Sequence, residues 1–171
     1  MLYFAYGSNM SVKRMKKRVR AAKLQGTASL AEHQLRFHKV SRDGSAKCDV
    51  IYTREAEDVV YGVLYEMSEE DQEILDRAEG LGKGYERTQV TVVDSLGKEI
   101  QAFTYYATEI NESLSPYHWY KNHVVRGAEE AGLPQKYLMM LFRVKSKEDP
   151  DVQQAYTENS LYKKSESETN F

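Results

Sequence analysis

The 171-residue sequence contains one cysteine, Cys48. An intrachain disulfide is therefore excluded, and a reducing compartment, the cytoplasm, is the expected location. No apolar run approaches the roughly 18 residues that a membrane-spanning helix needs. The start lacks the charged-then-apolar pattern of a signal peptide. A membrane or secreted protein is not expected. The four histidines, His33, His38, His118 and His123, share no metal-ligand spacing, and a lone cysteine cannot build a zinc knuckle. GxxxxGK[ST], GxGxxG and HExxH motifs are all missing, and Ser8 lies outside any Gly-x-Ser-x-Gly elbow. No metal, no cofactor and no enzyme nucleophile are expected.

What is present is unevenly distributed. Residues 1–54 hold twelve Lys or Arg and three acids, whereas residues 55–80 hold ten Asp or Glu and one base, Arg77. The densest basic run, residues 13–20, offers charge for phosphates but has no interleaved aromatics. Val12, Met15 and Val19 share one helical face, so the run reads as a helix to about Ala22 with its charges in water. No nucleic-acid partner is expected. Tyrosine occurs 13 times against five Phe and one Trp, which suits walls that need both contact area and hydrogen bonds.

The length suits one compact domain, placed at residues 1–144, and the polar stretch 145–171 reads as a tail draped on the surface or partly disordered. Strands are expected at residues 2–6, 24–30, 33–40, 48–54 and 59–67. Ser68 and Asp71 open a helix to about Glu79, which Gly80, Gly82 and Gly84 terminate. Residues 85–94 and 99–107 alternate around a turn as a β-hairpin. Helices follow from Ser115-Pro116 to Ala131 and from Pro134 to about Phe142. Strands run together without intervening helices, which predicts an α+β fold with a small, mainly antiparallel, barrel-like mixed sheet flanked by helices.

Two segments carry chemistry. Tyr3-Phe4-Ala5-Tyr6-Gly7-Ser8-Asn9-Met10 is a strand feeding a small-residue loop that opens into a helix, a place where free N–H groups attract anions. In Asp76-Arg77-Ala78-Glu79-Gly80, Glu79 ends a helix at the negative pole of its macrodipole. That position disfavours the carboxylate and marks Glu79 as a candidate proton shuttle near neutral pH. Taken together, these segments resemble the γ-glutamylcyclotransferases, whose opening motif is YGSN followed by Leu or Met. Ser115-Pro116, Tyr120-Lys121 and Gly127-Ala128-x-x-x-Gly132-Leu133-Pro134 extend the resemblance to about residue 140.

The resemblance implies release of 5-oxoproline from a γ-glutamyl group by attack of the substrate's own α-amine, with Glu79 as general acid and base. It also implies that Tyr6, Gly7, Ser8 and Asn9 hold the γ-glutamyl moiety and that Tyr85, Tyr105 and Tyr120 line the pocket. The expected partners are a small-molecule γ-glutamyl substrate and, as a candidate assembly, a homodimer. Two departures from the family pattern, a short glycine-rich loop after Gly80 and extra length at Tyr117-His118-Trp119, are expected near the leaving group. The rival readings are a cyclotransferase specialised for γ-glutamyl amines or isopeptides, and a non-catalytic binding module on the same fold.

Overall fold

The computed structural model of the chain describes residues 1–163. Five strands close a barrel in the order β1 (Leu2–Ala5), β5 (Val59–Glu66), β2 (Lys23–Ala31), β6 (Tyr85–Asp94) and β7 (Glu99–Ala107). Neighbours are antiparallel except where β1 meets β7 in parallel at Tyr3 and Phe103, which is the closing seam. The architecture is the expected α+β barrel with helices around it. Strands β3 (His33–Val40) and β4 (Ala46–Tyr52) instead form a separate hairpin. Asp49 ties that hairpin to the barrel, accepting from the Ala107 N–H of β7 at 2.7 Å and meeting His38 Nε2 at 2.8 Å.

Helix boundaries follow local chemistry. Helix α2 (Glu69–Glu79) opens on a complete capping box between Ser68 and Asp71 and closes on Gly80 at φ 74°, a left-handed position that suits glycine. The basic helix α1 (Val12–Arg18) is capped by Ser11 and is shorter than the sequence pattern suggests. Val19 is already extended, because the chain must enter β2 at Lys23 opposite Glu66. Helix α3 (His118–Glu130) lies across the chain between β1 and α1, and α4 (Gln135–Arg143) follows it. The stretch beyond residue 144, expected as a polar tail, carries helix α5 (Val152–Ser160), whose Ala155 packs against the core; its final residues, 164–171, lie outside the described residues. No helix among the described residues is long and apolar enough to cross a membrane.

One contact sets the position of the loop after β1. A Cβ on Gly127 of α3 would lie 2.3 Å from the Ser11 nitrogen and 2.5 Å from the Met10 carbonyl carbon. Helix and loop backbone therefore touch directly, as only glycine allows. Gly127→Ala should destabilise the protein by about 1–3 kcal/mol through overpacking. Urea unfolding checks this: the midpoint should fall with the slope unchanged, and an unshifted midpoint would mean the contact is looser than described.

Candidate active site

The end of β1 delivers Tyr6 and Gly7 into a 3-10 turn, Ser8–Met10, before Ser11 starts α1. The turn closes on the Met10 N–H to Gly7 carbonyl bond at 3.0 Å, which leaves the Ser8 and Asn9 N–H groups unused by the turn itself. A Cβ on Gly7 would sit 3.0 Å from Cys48 Cβ, so the absent side chain makes room beside β4. Tyr6, Gly7, Ser8, Asn9, Glu79, Tyr85, Tyr105 and Tyr120 all border one inner pocket, where Tyr3 and Cys48 join them. All eight residues named from the sequence are thus brought together.

The inner pocket is narrow, about 30 Å³, roughly the room of one water. It opens past Ser8, Glu79, Tyr85 and Tyr120 into an outer cleft of about 390 Å³. Glu79 stands at this junction. Its Oε1 accepts from Asn9 Nδ2 at 2.8 Å and pairs with the Arg18 guanidinium at the end of α1. The helix-end position holds as expected, but the carboxylate meets a cation and an amide there. Burial works against the charged guanidinium, but Glu79 together with the hydroxyls of Tyr3, Tyr120 and Tyr85 outweighs it, so the Arg18 pKa lies above the usual arginine value. Asn9 Nδ2 also donates to the Tyr3 hydroxyl at 3.1 Å, while its buried Oδ1 has no partner among the described residues.

The tyrosine walls are tied to the backbone. Tyr6 donates to the Tyr105 carbonyl at 2.7 Å, Tyr85 donates to the Cys48 carbonyl at 2.5 Å, and Tyr120 accepts from the Cys48 N–H at 3.0 Å. Tyr105 donates to Asp76 on α2 at 2.7 Å, and Asp76 in turn pairs with Arg87 at 2.8 Å. Burial pushes the Tyr6, Tyr85 and Tyr120 hydroxyls well above their ordinary range, so they remain neutral donors at any working pH. The same burial raises the Cys48 thiol to about 12. Cys48 is a small, buried packing residue whose thiol stays protonated.

The charged wall differs from its expected place in water. Arg14 and Arg18, four residues apart, turn inward, while the intervening Lys16 and Lys17 stay exposed. Arg14 Nε donates to Ser8 Oγ at 3.1 Å and its NH1 pairs with Glu158 of α5 at 2.7 Å. Glu158 also meets His123 Nε2 at 3.0 Å, and His123 Nδ1 lies 2.5 Å from the Tyr162 hydroxyl, which donates to Ser11. The far end of the chain thereby braces the Ser8 loop. Sequence reasoning missed this role. Its one signal was two arginines at i and i+4 within a run of lysines, since arginine rather than lysine suits a buried, directional pair.

That brace has a pH dependence. Burial raises the Glu158 pKa, but the His123 hydrogen bond and Arg14 outweigh it and hold the carboxyl near 2, below its usual 4.5. Burial keeps the His123 imidazole below its usual 6.5. In both cases the unfolded chain binds the proton first, so stability rises with pH and is lost on acidification. For Glu158 the loss runs from about 4.5 toward 2. The melting-temperature gap between wild type and Glu158→Gln should therefore narrow between pH 6 and pH 3. A constant gap would show that the carboxylate is not held in this way.

Comparisons with known proteins bear on the family. The pattern that defines the AIG2-like family matches residues 59–141. The chain is 36% identical over 141 residues to γ-glutamylcyclotransferase from Bos taurus and 35% identical to that from Homo sapiens. Each alignment covers 80% of this chain and 74% of the relative. A solved γ-glutamyl cyclotransferase structure superimposes with a TM-score of 0.79 at 30% identity, over 86% of this chain and 89% of its own. With fold and sequence in agreement over that length, the chain belongs to the γ-glutamylcyclotransferase family.

Proposed function

We propose that this protein releases 5-oxoproline from a γ-glutamyl amino acid or related γ-glutamyl amide, with Glu79 moving both protons. The observation that carries this reading is the Glu79 carboxylate, held between Asn9 and Arg18 where the tyrosine-lined pocket opens into the cleft. A lone carboxylate there has the chemistry of a shuttle. It takes a proton from the substrate's α-ammonium, the freed amine attacks the γ-carbonyl, and a carbon–nitrogen bond closes a five-membered ring. The bond to the leaving nitrogen then breaks as Glu79 returns the proton to that nitrogen, and the ring nitrogen's second proton follows by the same carboxylate to the departing amine, which leaves as an ammonium. The reaction is a lyase-type cyclisation, and its nucleophile belongs to the substrate.

Three features support the positioning this demands. Asn9 Oδ1, buried and unpartnered among the described residues, is an acceptor for an α-ammonium N–H. The Ser8 and Asn9 N–H groups are donors for a carboxylate or for the oxyanion of the tetrahedral intermediate. The tyrosines present flat faces held by their own hydrogen bonds, which suits holding the glutamyl chain folded. Holding it in attacking geometry is worth effective molarities on the order of 10⁵ M or more. Arg18 and Asn9 both hold Glu79 through Oε1, which leaves Oε2 for the substrate's ammonium. A buried free thiol and the absence of any disulfide partner fit a cytoplasmic setting.

The test is 5-oxoproline release from γ-Glu-Ala, γ-Glu-ε-Lys and glutathione, with Glu79→Gln beside wild type. Glu79→Gln should fold with an intact far-UV spectrum and lose about 10²–10⁴-fold in kcat. Full activity in Glu79→Gln would remove it from the proton steps. No release from any of the three by wild type would defeat the functional reading.

A further inference from the structure

The outer cleft is lined by seven cations and a single carboxylate, Glu79. Four of the cations have acidic partners. Arg18 pairs with Glu79, Arg14 with Glu158 at 2.7 Å, Lys47 with Asp43 at 2.7 Å, and Arg77 loosely with Glu73 at 4.0 Å. The other three, Lys39, Arg42 and Lys83, have no carboxylate within 4.0 Å among the described residues. They come from the two sides of the cleft. Lys39 and Arg42 lie at and just beyond the end of β3, and Lys83 lies in the glycine-rich loop that follows α2.

Lys39 is not a loose surface side chain. It is half-buried, its ammonium lies 4.7 Å from the centroid of the Tyr85 ring, and a Cβ on Gly84 would come within 2.9 Å of Nζ. The chain thus leaves space at residue 84 for this ammonium to sit against the tyrosine wall. Burial lowers the Lys39 pKa despite the nearby carboxylates of Glu79 and Glu109, so its charge is short of compensation. A cleft lined by one sign of charge concentrates ligands of the other sign.

Resting on the functional reading above, charge matching decides between leaving groups. The γ-glutamyl half of any substrate carries one ammonium and one carboxylate and is neutral overall. A simple amino acid as the other half brings one carboxylate to three unmatched cations, and an amine brings none. We propose that the outer cleft is a subsite for a dianionic leaving half, an amino acid whose side chain carries a second carboxylate or a phosphate. Lys39, Arg42 and Lys83 read that second charge, and Glu79 chemistry proceeds at the inner end unchanged. The guanidinium of Arg42 suits the bidentate geometry of either anion.

The experiment compares matched pairs that differ in one anionic group. Rates of 5-oxoproline release are measured for γ-glutamyl-glutamate against γ-glutamyl-glutamine, and for γ-glutamyl-phosphoserine against γ-glutamyl-serine, at low ionic strength. The acidic member of at least one pair should have a kcat/KM about tenfold higher, carried mainly by KM, as expected for three partly exposed charge contacts. Whichever pair shows the gain names the anion, carboxylate or phosphate. The preference should shrink toward unity in 0.5 M NaCl, a readout on wild type that needs no variant to fold. Lys39→Gln, Arg42→Gln and Lys83→Gln should each lower the preference ratio. Equal rates within twofold in both pairs would overturn the dianionic subsite while leaving the cyclotransferase reading intact. No 5-oxoproline from any of the four compounds would overturn that reading, and the subsite with it.

Discussion

The pocket depends on one close approach, that of Gly127 in α3 to the backbone of Met10 and Ser11. A helix resting directly on a loop backbone leaves that loop little freedom, because close-packed atoms resist even small displacements. The 3-10 turn is therefore held from below by α3 and from the side by the Arg14 contact to Ser8. Its other end is fixed by β1, which sits in the barrel between β5 and β7. Asn9 then reaches Glu79 across the gap to α2, and the carboxylate is located by elements far apart in sequence.

Electrostatics follows from the same geometry. The basic run and the acidic block are not two independent surfaces. They meet where the last residue of α1, Arg18, pairs with the last residue of α2, Glu79. Both helices end at the cleft, so each contributes the negative pole of its dipole there, and a cation at that pole is favoured. The β3–β4 hairpin supplies the opposite wall with Lys39, Arg42 and Lys47. A net charge of −2 for the whole chain thus coexists with a strongly positive cleft.

Much of the fold was legible because its signals are local. The hairpin of β6 and β7, the strand β3, and the capped start and glycine stop of α2 follow from alternation and terminal chemistry within a few residues. Helix α1 was read too long because its apolar spacing continues to Val19, whereas strand pairing of β2 with β5 claims the chain from Lys23. Helix α5 was missed because it is polar, and what holds it is the distant contact of Glu158 with Arg14 and His123. The loop of residues 6–9 and Glu79 were legible through resemblance, since their spacing alone names no chemistry.

The sequence by itself determined the element types, the capped end of α2 at Glu79, and the small-residue loop that can approach a ligand, since all of these are set by neighbours along the chain. Only the tertiary structure decided which charges face the site. Arg14 and Arg18 carry the same charge as the lysines of their helix, and Lys39 is like any lysine at a strand end. Their direction is set by barrel closure and by packing of α3 and α5, contacts between residues up to 144 positions apart. Charge is a property of a residue, but the partner that a charge meets is a property of the fold.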